Sequence, residues 1–432
     1  MKYFSITFIY ISTMLFATTR IFTLCEGNFG TPNANLWSIN ESDWQSEGPI
    51  YWDENSNPLG DVGQSMTIVN DEKLYIIMNN SHSIEILNLM GSDQTFSGSI
   101  HLPSAGPRYM VANESGSTGY ISCWNLSGII VIDLLSDTIT DTISVGGMPE
   151  MMVMHDGKIY TSIAMNSDWS TSDRVISVDV STKAVIDSFI VVPGPAALLL
   201  KDESLFIAST YYDANWNTYA GNTKIDLSSG DIITYDAGIT SDFGPDLLEI
   251  NNQVYRIYNG GIAPLDDDLS LNPSEQIGSF PGIYSAISNG NNLYFGLTDY
   301  VAPDDLIVTD LSGLQLAQFN VGALPGSFGF YSYNVESVSH KPTLDSFRLM
   351  PNYPNPFNPT THIQFSVGIQ SIVSLQIFNI NGVLIETLFD HATYSNGTHS
   401  IQWNASHRPS GVYFTVLNIN GHTQIQKMGL VK

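Results

Sequence analysis

The chain of 432 residues carries 42 acidic and 15 basic side chains, a net charge of −27. The acid is concentrated: residues 1–339 hold 39 acidic and 10 basic groups, whereas residues 340–432 hold 3 and 5. Such an anionic surface repels polyanions and excludes nucleic acid and anionic lipid as partners. Charged residues make up only 13%, and Tyr, Phe, Gly, Asn and Ser are abundant, which predicts a β-rich extracellular protein with few long amphipathic helices.

At the start, Lys2 precedes an apolar run, Phe4–Phe16, followed by Ala17-Thr18-Thr19. The run is too short to span a bilayer as a mature helix but suits the apolar core of a secretory leader, so residues 1–19 are expected to be a signal peptide cleaved near 17–19. Phe22-Thr23-Leu24 lacks the small residue that lipidation of Cys25 requires. No later stretch is long and apolar enough to cross a membrane as a helix.

From residue 20 onward the chain repeats itself. A cluster of polar, aliphatic, aromatic and apolar residues recurs as KLYI (Lys73–Ile76), KIYT (Lys158–Thr161), SLFI (Ser204–Ile207) and NLYF (Asn292–Phe295). Variants stand at RIFT (Arg20–Thr23), GYIS (Gly119–Ser122) and QVYR (Gln253–Arg256). The aromatic anchors are Phe22, Tyr75, Tyr120, Tyr160, Phe206, Tyr255 and Tyr294, spaced 39 to 53 residues apart, which suits four-stranded propeller blades. Gly/Pro turns lead into an apolar strand before most anchors: Gly106-Pro107, Met148-Pro149, Gly194-Pro195, Gly244-Pro245 and Pro281-Gly282, with a looser version at Leu59–Gly63. Phe22 has no such strand before it, and the strand at Ser327–Tyr333 has no anchor after it. Each orphan supplies what the other lacks, so residues 327–333 are expected to form the innermost strand of the first blade and close a seven-bladed ring. Cys25 and Cys123 fall at equivalent positions of blades one and three, too far apart to bridge.

Asp133, Asp179, Asp226 and Asp310 each end a third strand, where a carboxylate accepts turn N–H groups. The turns into the innermost strands place Asp61, Arg108, Glu150, Asp246 and Tyr284 around the channel mouth, the candidate ligand site. Two loops on the same face, Met165–Asp173 and Thr210–Asn222, add Trp169, Tyr211, Tyr212, Trp216 and Tyr219, which can stack on a flat ligand or a sugar or else pack against their own blade. Nothing in the pattern calls for a cofactor. The three histidines before residue 340 (His82, His101, His155) are isolated, and no hydrolase elbow, zinc-protease helix or phosphate loop occurs. Asp266–Asp268 and Asp304-Asp305 can attract Ca²⁺, but neither has an EF-hand pattern, and solvated loop acid is the simpler reading.

The last stretch changes character. Pro351, Pro354, Pro356 and Pro359 dictate an extended segment, and short alternating runs separated by Asn-Gly and Ser-Gly turns then predict a small β-sandwich. The motifs MPNYPNPFNPTTHIQF (Met350–Phe365), SLQIFNINGVLIETL (Ser374–Leu388), GTHSIQWNASHRPSGVYFTVL (Gly397–Leu417) and KMGLVK (Lys427–Lys432) resemble the C-terminal type A sorting domain of type IX secretion cargo. That resemblance implies the type IX secretion machinery as partner and a secreted or outer-membrane surface location, reached through the periplasm. Within the repeats, Val131–Glu150, Ile176–Pro195, Cys25–Gly30 and Pro58–Leu89 resemble YncE-like, YVTN-type seven-bladed propellers, a likeness that fades after Gly221.

The expected organisation is all-β: a signal peptide (1–19), a seven-bladed β-propeller (20–338), a linker (339–349) and a small Ig-like β-sandwich that sorts the chain (350–432). The expected function is a non-catalytic binding protein, secreted or held at the surface, taking a small molecule, a glycan or a surface protein. Some relatives of the resembled propellers capture cobalamin-like or siderophore ligands. Adhesion through protein or glycan is the alternative, and a propeller lyase or lactonase ranks third.

Overall fold

The computed structural model describes residues 15–51, 57–301, 303–336, 347–350, 352–367, 371–380, 382–394, 397–419 and 422–432. The expected leader up to residue 14 and the expected linker from 339 to 346 lie outside the described residues. Two compact units emerge, one of Met14–Val335 and one containing Glu336–Lys432.

The first unit is a ring of seven antiparallel sheets, the seven-bladed propeller that the repeats predict. Each aromatic anchor lies on the second strand of its blade, and Phe22, Tyr75 and Tyr294 have no exposed surface. Burial of these rings between neighbouring sheets dictates the spacing: one large apolar side chain per blade fills the wedge where two twisted sheets diverge. Blade one closes as expected. Its innermost strand is Pro325–Glu336, hydrogen-bonded to Leu15–Cys25, which pairs in turn with Asn35–Asn40 and Gln45–Glu47. The strand Leu15–Cys25 begins inside the expected leader, but its registered pairing with the next strand starts at Arg20, opposite Asn40.

Blades two to five and seven each have four strands. Blade six keeps three, Phe243–Ile250, Gln253–Tyr258 and Gly261–Pro264, and its outer edge is covered by a single bridge between Ile262 and Ile277. This departure comes where the sequence repeat fades. The four turn aspartates do as expected: Asp133 accepts from the N–H groups of Leu135 and Ser136 (both 2.9 Å), and Asp179, Asp226 and Asp310 repeat the arrangement. These hydrogen bonds hold the Asp179 and Asp226 carboxyls down at about 2. Cys25 and Cys123 are both buried and free.

A hydrogen bond near the axis crosses every junction between blades. Gly63 N–H donates to Glu26 O (3.0 Å) between blades one and two. Serine hydroxyls donate to the carbonyls of Arg108 (Ser65, 2.7 Å), Glu150 (Ser122, 2.7 Å), Ala196 (Ser162, 2.9 Å) and Pro325 (Ser285, 2.5 Å). At the other two junctions the groups are ionisable. Arg256 spans blades five and six, and Asp246 accepts from Ala286 N–H (2.9 Å) between blades six and seven.

The second unit is a sandwich of two antiparallel sheets. Phe347–Leu349, Thr360–Val367 and Gly397–Asn404 form one, and Leu384–Tyr394, Ser371–Asn379, Gly411–Ile419 and His422–Leu430 form the other. Alternation buries one side chain in two: Ile363, Phe365, Leu375, Ile377, Trp403 and Leu417 share a core with Phe357 of the proline-rich segment. The basic terminus is part of this unit, since Met428 and Leu430 are buried and Lys432 Nζ donates to Ser406 O (2.6 Å).

Candidate functional site: the mouth of the central channel

Innermost strands of the propeller begin in the same way. Proline opens the strand at 107, 195 and 325 and stands second in it at 149, with its φ fixed and no N–H to leave unpaired. In six blades the pairing then slips at once: between Gly63 and Ser65, Pro107 and Met110, Pro149 and Met152, Pro195 and Ala197, Phe243 and Leu247, and Ile283 and Ser285. Such a bulge re-aims the side chains at the strand's start. Here it turns Gln64, Arg108, Glu150, Ala196, Asp246 and Tyr284 to the axis, where they and Gly326 line a cavity of about 540 Å³. All seven innermost strands contribute to its wall. Below the polar mouth the wall becomes apolar, with Met66, Met110, Met152, Leu198, Ile287 and Phe328.

Two polar pairs dominate the mouth. Arg108 clamps the buried Glu150 carboxylate, with Nε 3.1 and 3.0 Å from its two oxygens and Nη2 2.6 Å from Oε1. Its Nη1 donates to Gln64 Oε1, and its guanidinium lies 4.3 Å from the Trp124 ring centroid. Burial works to lower the Arg108 pKa, but the Glu150 charge and hydrogen bonds outweigh it and the pKa rises. Opposite, the Tyr284 hydroxyl donates to Glu26 Oε1 (2.8 Å). Burial pushes the Glu26 carboxyl up to about 7; Tyr284 and Arg108 pull it down, while Glu150 and Asp246 push it higher. Asp246 is likewise raised by burial, to about 6, against the pull of Ala286 N–H and of Arg256. The Tyr284 hydroxyl is raised too, by burial and then by Glu26. With Glu150 matched by Arg108, the mouth gains up to two negative charges as pH climbs from about 5 to 8.

Four residues expected at the mouth (Arg108, Glu150, Asp246 and Tyr284) do line the cavity. Asp61 does not. Its Oδ2 accepts from Gly30 N–H (3.1 Å) and Asn80 Nδ2 (2.6 Å), tying together loops of blades one and two, and Gln64 three residues later holds the mouth position. The five loop aromatics also stand apart from the cavity. The strands Ser204–Tyr212 and Thr218–Asp226 run further than expected, so Tyr211 and Tyr219 face each other across the ladder and stack at 4.9 Å. Trp169, Tyr212 and Trp216 are 63, 55 and 82% exposed. The acidic runs are used structurally: Asp268 Oδ1 accepts from Ser270 N–H (3.0 Å), and Asp304 Oδ2 from Thr298 Oγ1 (2.6 Å) and Leu324 N–H (2.7 Å). Among the described residues no three His, Cys, Asp or Glu side chains cluster as a metal-binding set.

Sequence reasoning missed Glu26 and Gln64, which both line the cavity. Gln64 follows Gly63 as Arg108 follows Pro107, so aligning on the residue after the turn identifies it. Glu26 has no counterpart in the other repeats, because it enters from the loop after the second strand. It fits only because blade one offers Gly326 there: a Cβ on Gly326 would stand 2.5 Å from Glu26 Oε1.

Comparison with known proteins agrees with both units. Propeller neighbours include a Lactobacillus plantarum protein (14% identity, TM-score 0.53, 72% of this chain and 99% of that one) and the periplasmic gluconolactonase of Pseudomonas aeruginosa (11%, 0.53, 72% and 99%). A Desulfotomaculum acetoxidans protein is comparable (10%, 0.53, 72% and 98%). At these identities the likeness shows the fold alone. No curated protein sequence matches the chain, and no helix among the described residues is long and apolar enough to cross a membrane. Residues 352–431 match the secretion system C-terminal sorting domain, and the protein is cargo for type IX export, destined for the cell surface or the medium.

Proposed function

We propose that the exported propeller is a non-catalytic capture protein that binds a compact polar ligand in the channel mouth. The observation that supports this reading is the mouth itself: a cavity of about 540 Å³ where all seven innermost strands converge, with a few polar groups above apolar walls. Glu150 is already matched by Arg108, so the groups left to meet a ligand are Glu26, Asp246, Tyr284 and Gln64. Three of these are acceptors, which favours a ligand rich in hydroxyls or carrying a cationic nitrogen. Removal of a leader near residues 17–19 belongs to the same proposal, and N-terminal sequencing of the exported protein tests it.

The test is a thermal-shift and calorimetric screen of the full chain against polyols, amines, corrinoids and siderophores at pH 5.5 and 8. A cationic ligand is expected to bind more tightly at pH 8, where Glu26 and Asp246 are ionised. At ~100 times its dissociation constant a ligand adds about 2.7 kcal/mol of apparent stability. Loss of that shift in Glu26→Gln and Asp246→Asn supports the mouth as the site, and an unchanged shift removes it.

A second reading rests on Glu26 and Asp246. Carboxyls held near 7 and 6 suit general acid–base work at neutral pH, as in hydrolysis of a lactone. Turnover of gluconolactone above its spontaneous rate, abolished by Glu26→Gln, would favour the enzyme. No acceleration leaves the capture reading standing.

A further inference from the structure

Five loops among the described residues share one backbone design. In Asn166–Ser170, Asp213–Asn217, Asp266–Ser270, Asp310–Leu314 and Asn379–Val383 the first N–H bonds the fifth carbonyl (2.8–3.1 Å), and the fourth N–H bonds the first carbonyl (2.9–3.0 Å). The fourth residue is left-handed in all five, with φ of 68, 63, 66, 87 and 73°. Glycine suits that position, and two of the loops have it, Gly313 and Gly382. A third has Leu269, which is 2% exposed and packs in a small core with Val254 and Leu265, so burial offsets the strain. The remaining two have Trp169 and Trp216. Both are bulky side chains in a strained conformation, yet they are 63 and 82% exposed. Among the described residues neither ring is buried as Leu269 is, and Trp216 meets the exposed Tyr212 ring at 6.2 Å.

Their placement is not scattered. Among the described residues of the propeller, the strongly exposed Phe, Tyr and Trp are Phe29, Trp169, Tyr212, Trp216 and Tyr300. Each lies in or beside a loop between second and third strands, on the face that holds the channel mouth. They fall on two arcs of the ring. Trp169 and Trp216 belong to the adjacent blades four and five. Phe29 and Tyr300 belong to the adjacent blades one and seven, whose loops touch through Asn28 Nδ2 and Tyr300 O (3.3 Å). Tyr300 is also left-handed, at φ 68°.

We infer that this face binds a neutral polysaccharide chain laid across the mouth, its sugar rings stacked on the two aromatic arcs. Apart from Tyr212 and Trp216, whose rings meet at 6.2 Å, the rings stand on separate loops and not as one apolar patch, which a protein interface would need at its centre. Asn215, Asn217 and Ser170 share the loops of the two Trp rings; Asn217 Nδ2 and Ser170 Oγ donate to Asp213 (2.9 Å) and Asp168 (2.5 Å), so the loops offer flat apolar surface beside the Asn215 amide and carboxylate acceptors, which suits a pyranose with one apolar face and an equatorial hydroxyl belt. Asp168, Asp213 and Asp299 on the same loops, within a chain of net charge −27, disfavour anionic glycans. The inference is independent of what occupies the mouth.

The experiment is affinity electrophoresis of the full chain in gels containing laminarin, glucomannan or alginate, with melting curves for each variant. The variants are Trp169→Gly and Trp216→Gly, singly and together, which install the residue that the sister loops use. A neutral polymer is expected to retard the native protein, and the double variant to lose affinity about tenfold or more, the equivalent of 1.4 kcal/mol. Its melting temperature should stay the same or rise, because the left-handed strain is relieved. Retardation by neither neutral polymer, retardation by alginate alone, or unchanged retardation of the double variant overturns the inference. A clear fall in melting temperature also overturns it, by making the rings structural. Glu26→Gln should leave the retardation intact, separating this face from the ligand site in the mouth.

Discussion

Blades two to four and blade six solve one problem in different ways. Around blades two to four, small hydroxyls (Ser65, Ser122, Ser162) reach across to the neighbouring carbonyl, a link of about 1 kcal/mol made without burying charge. Blade six has the ionisable Arg256 and Asp246 instead. Arg256 is fully buried and donates to five neutral oxygens: Gly221 O (2.6 Å), Asn222 Oδ1 (2.8 Å), Ser209 O (3.0 Å), Thr210 Oγ1 (3.2 Å) and Gly244 O (2.8 Å). Burial lowers its pKa to about 9, with Asp246 pulling the other way. One long cation therefore gathers backbone from blades five and six, at the inner side of the blade that lacks a fourth strand. The comparison teaches that a regular repeat can be joined by small neutral links, whereas an irregular blade needs a side chain long enough to reach what the repeat no longer positions.

The largest test of that contrast is Arg256→Met. Stranding several buried oxygens is expected to cost about 3–4 kcal/mol, read as a fall in the urea midpoint. A loss below ~1 kcal/mol would make blade six no more dependent on its cation than blade four is on a serine.

Next comes pH. Glu26 and Asp246 have folded pKa values raised above their unfolded ones, so the folded state holds their protons more tightly. Their contribution is complete below about pH 4 and is lost as pH rises towards 7 for Glu26 and 6 for Asp246. The slope approaches about 1.4 kcal/mol per pH unit for each proton, less where water reaches the group. The turn aspartates act oppositely, losing their contribution as pH falls from about 4 to 2. Melting temperature should therefore peak near pH 4–5, and Glu26→Gln with Asp246→Asn should flatten its alkaline side. A peak above pH 7 in the unmodified protein would contradict the assignment.

Gly326→Ala should cost about 1–2 kcal/mol by crowding Glu26 away from Tyr284, and it should also weaken any ligand dependent on Glu26. Smallest of the four is Ser162→Ala, at about 1 kcal/mol in chemical denaturation. A cost equal to that of Arg256→Met would erase the contrast between the two parts of the ring.

The ring was legible because its determinants are local and repeated. An aromatic at a fixed offset from a turn is visible in one dimension, and the unmatched Phe22 and Ser327–Tyr333 were enough to predict the closing strand. Arg256 was legible only as an anomaly, an arginine where Ile76, Ile121, Ile207 and Phe295 stand after or near their anchors; nothing local says that five oxygens surround it. Glu26 was hidden because it enters from a loop and depends on the absence of a side chain at Gly326, some 300 residues later. Trp169 and Trp216 could be seen as loop aromatics, but their distance from the axis depends on where the flanking strands end. Continuous pairing from Ser204–Tyr212 into Thr218–Asp226 shortened that loop and kept its tip off the cavity.

The closing strand also sets an order of events in the life of the chain. Blade one joins residues as far apart as Thr19 and Ser332, 313 positions in sequence, so its sheet can be completed only when almost the whole propeller has been synthesised. Until then the first blade has an open edge, and formation of so non-local a contact is slow. The sorting domain lies just downstream of that strand. A ribosome that stalls before Pro325 thus releases a chain lacking both the seal of its ring and its export address, and a product that can be sent out is one whose ring can also be shut.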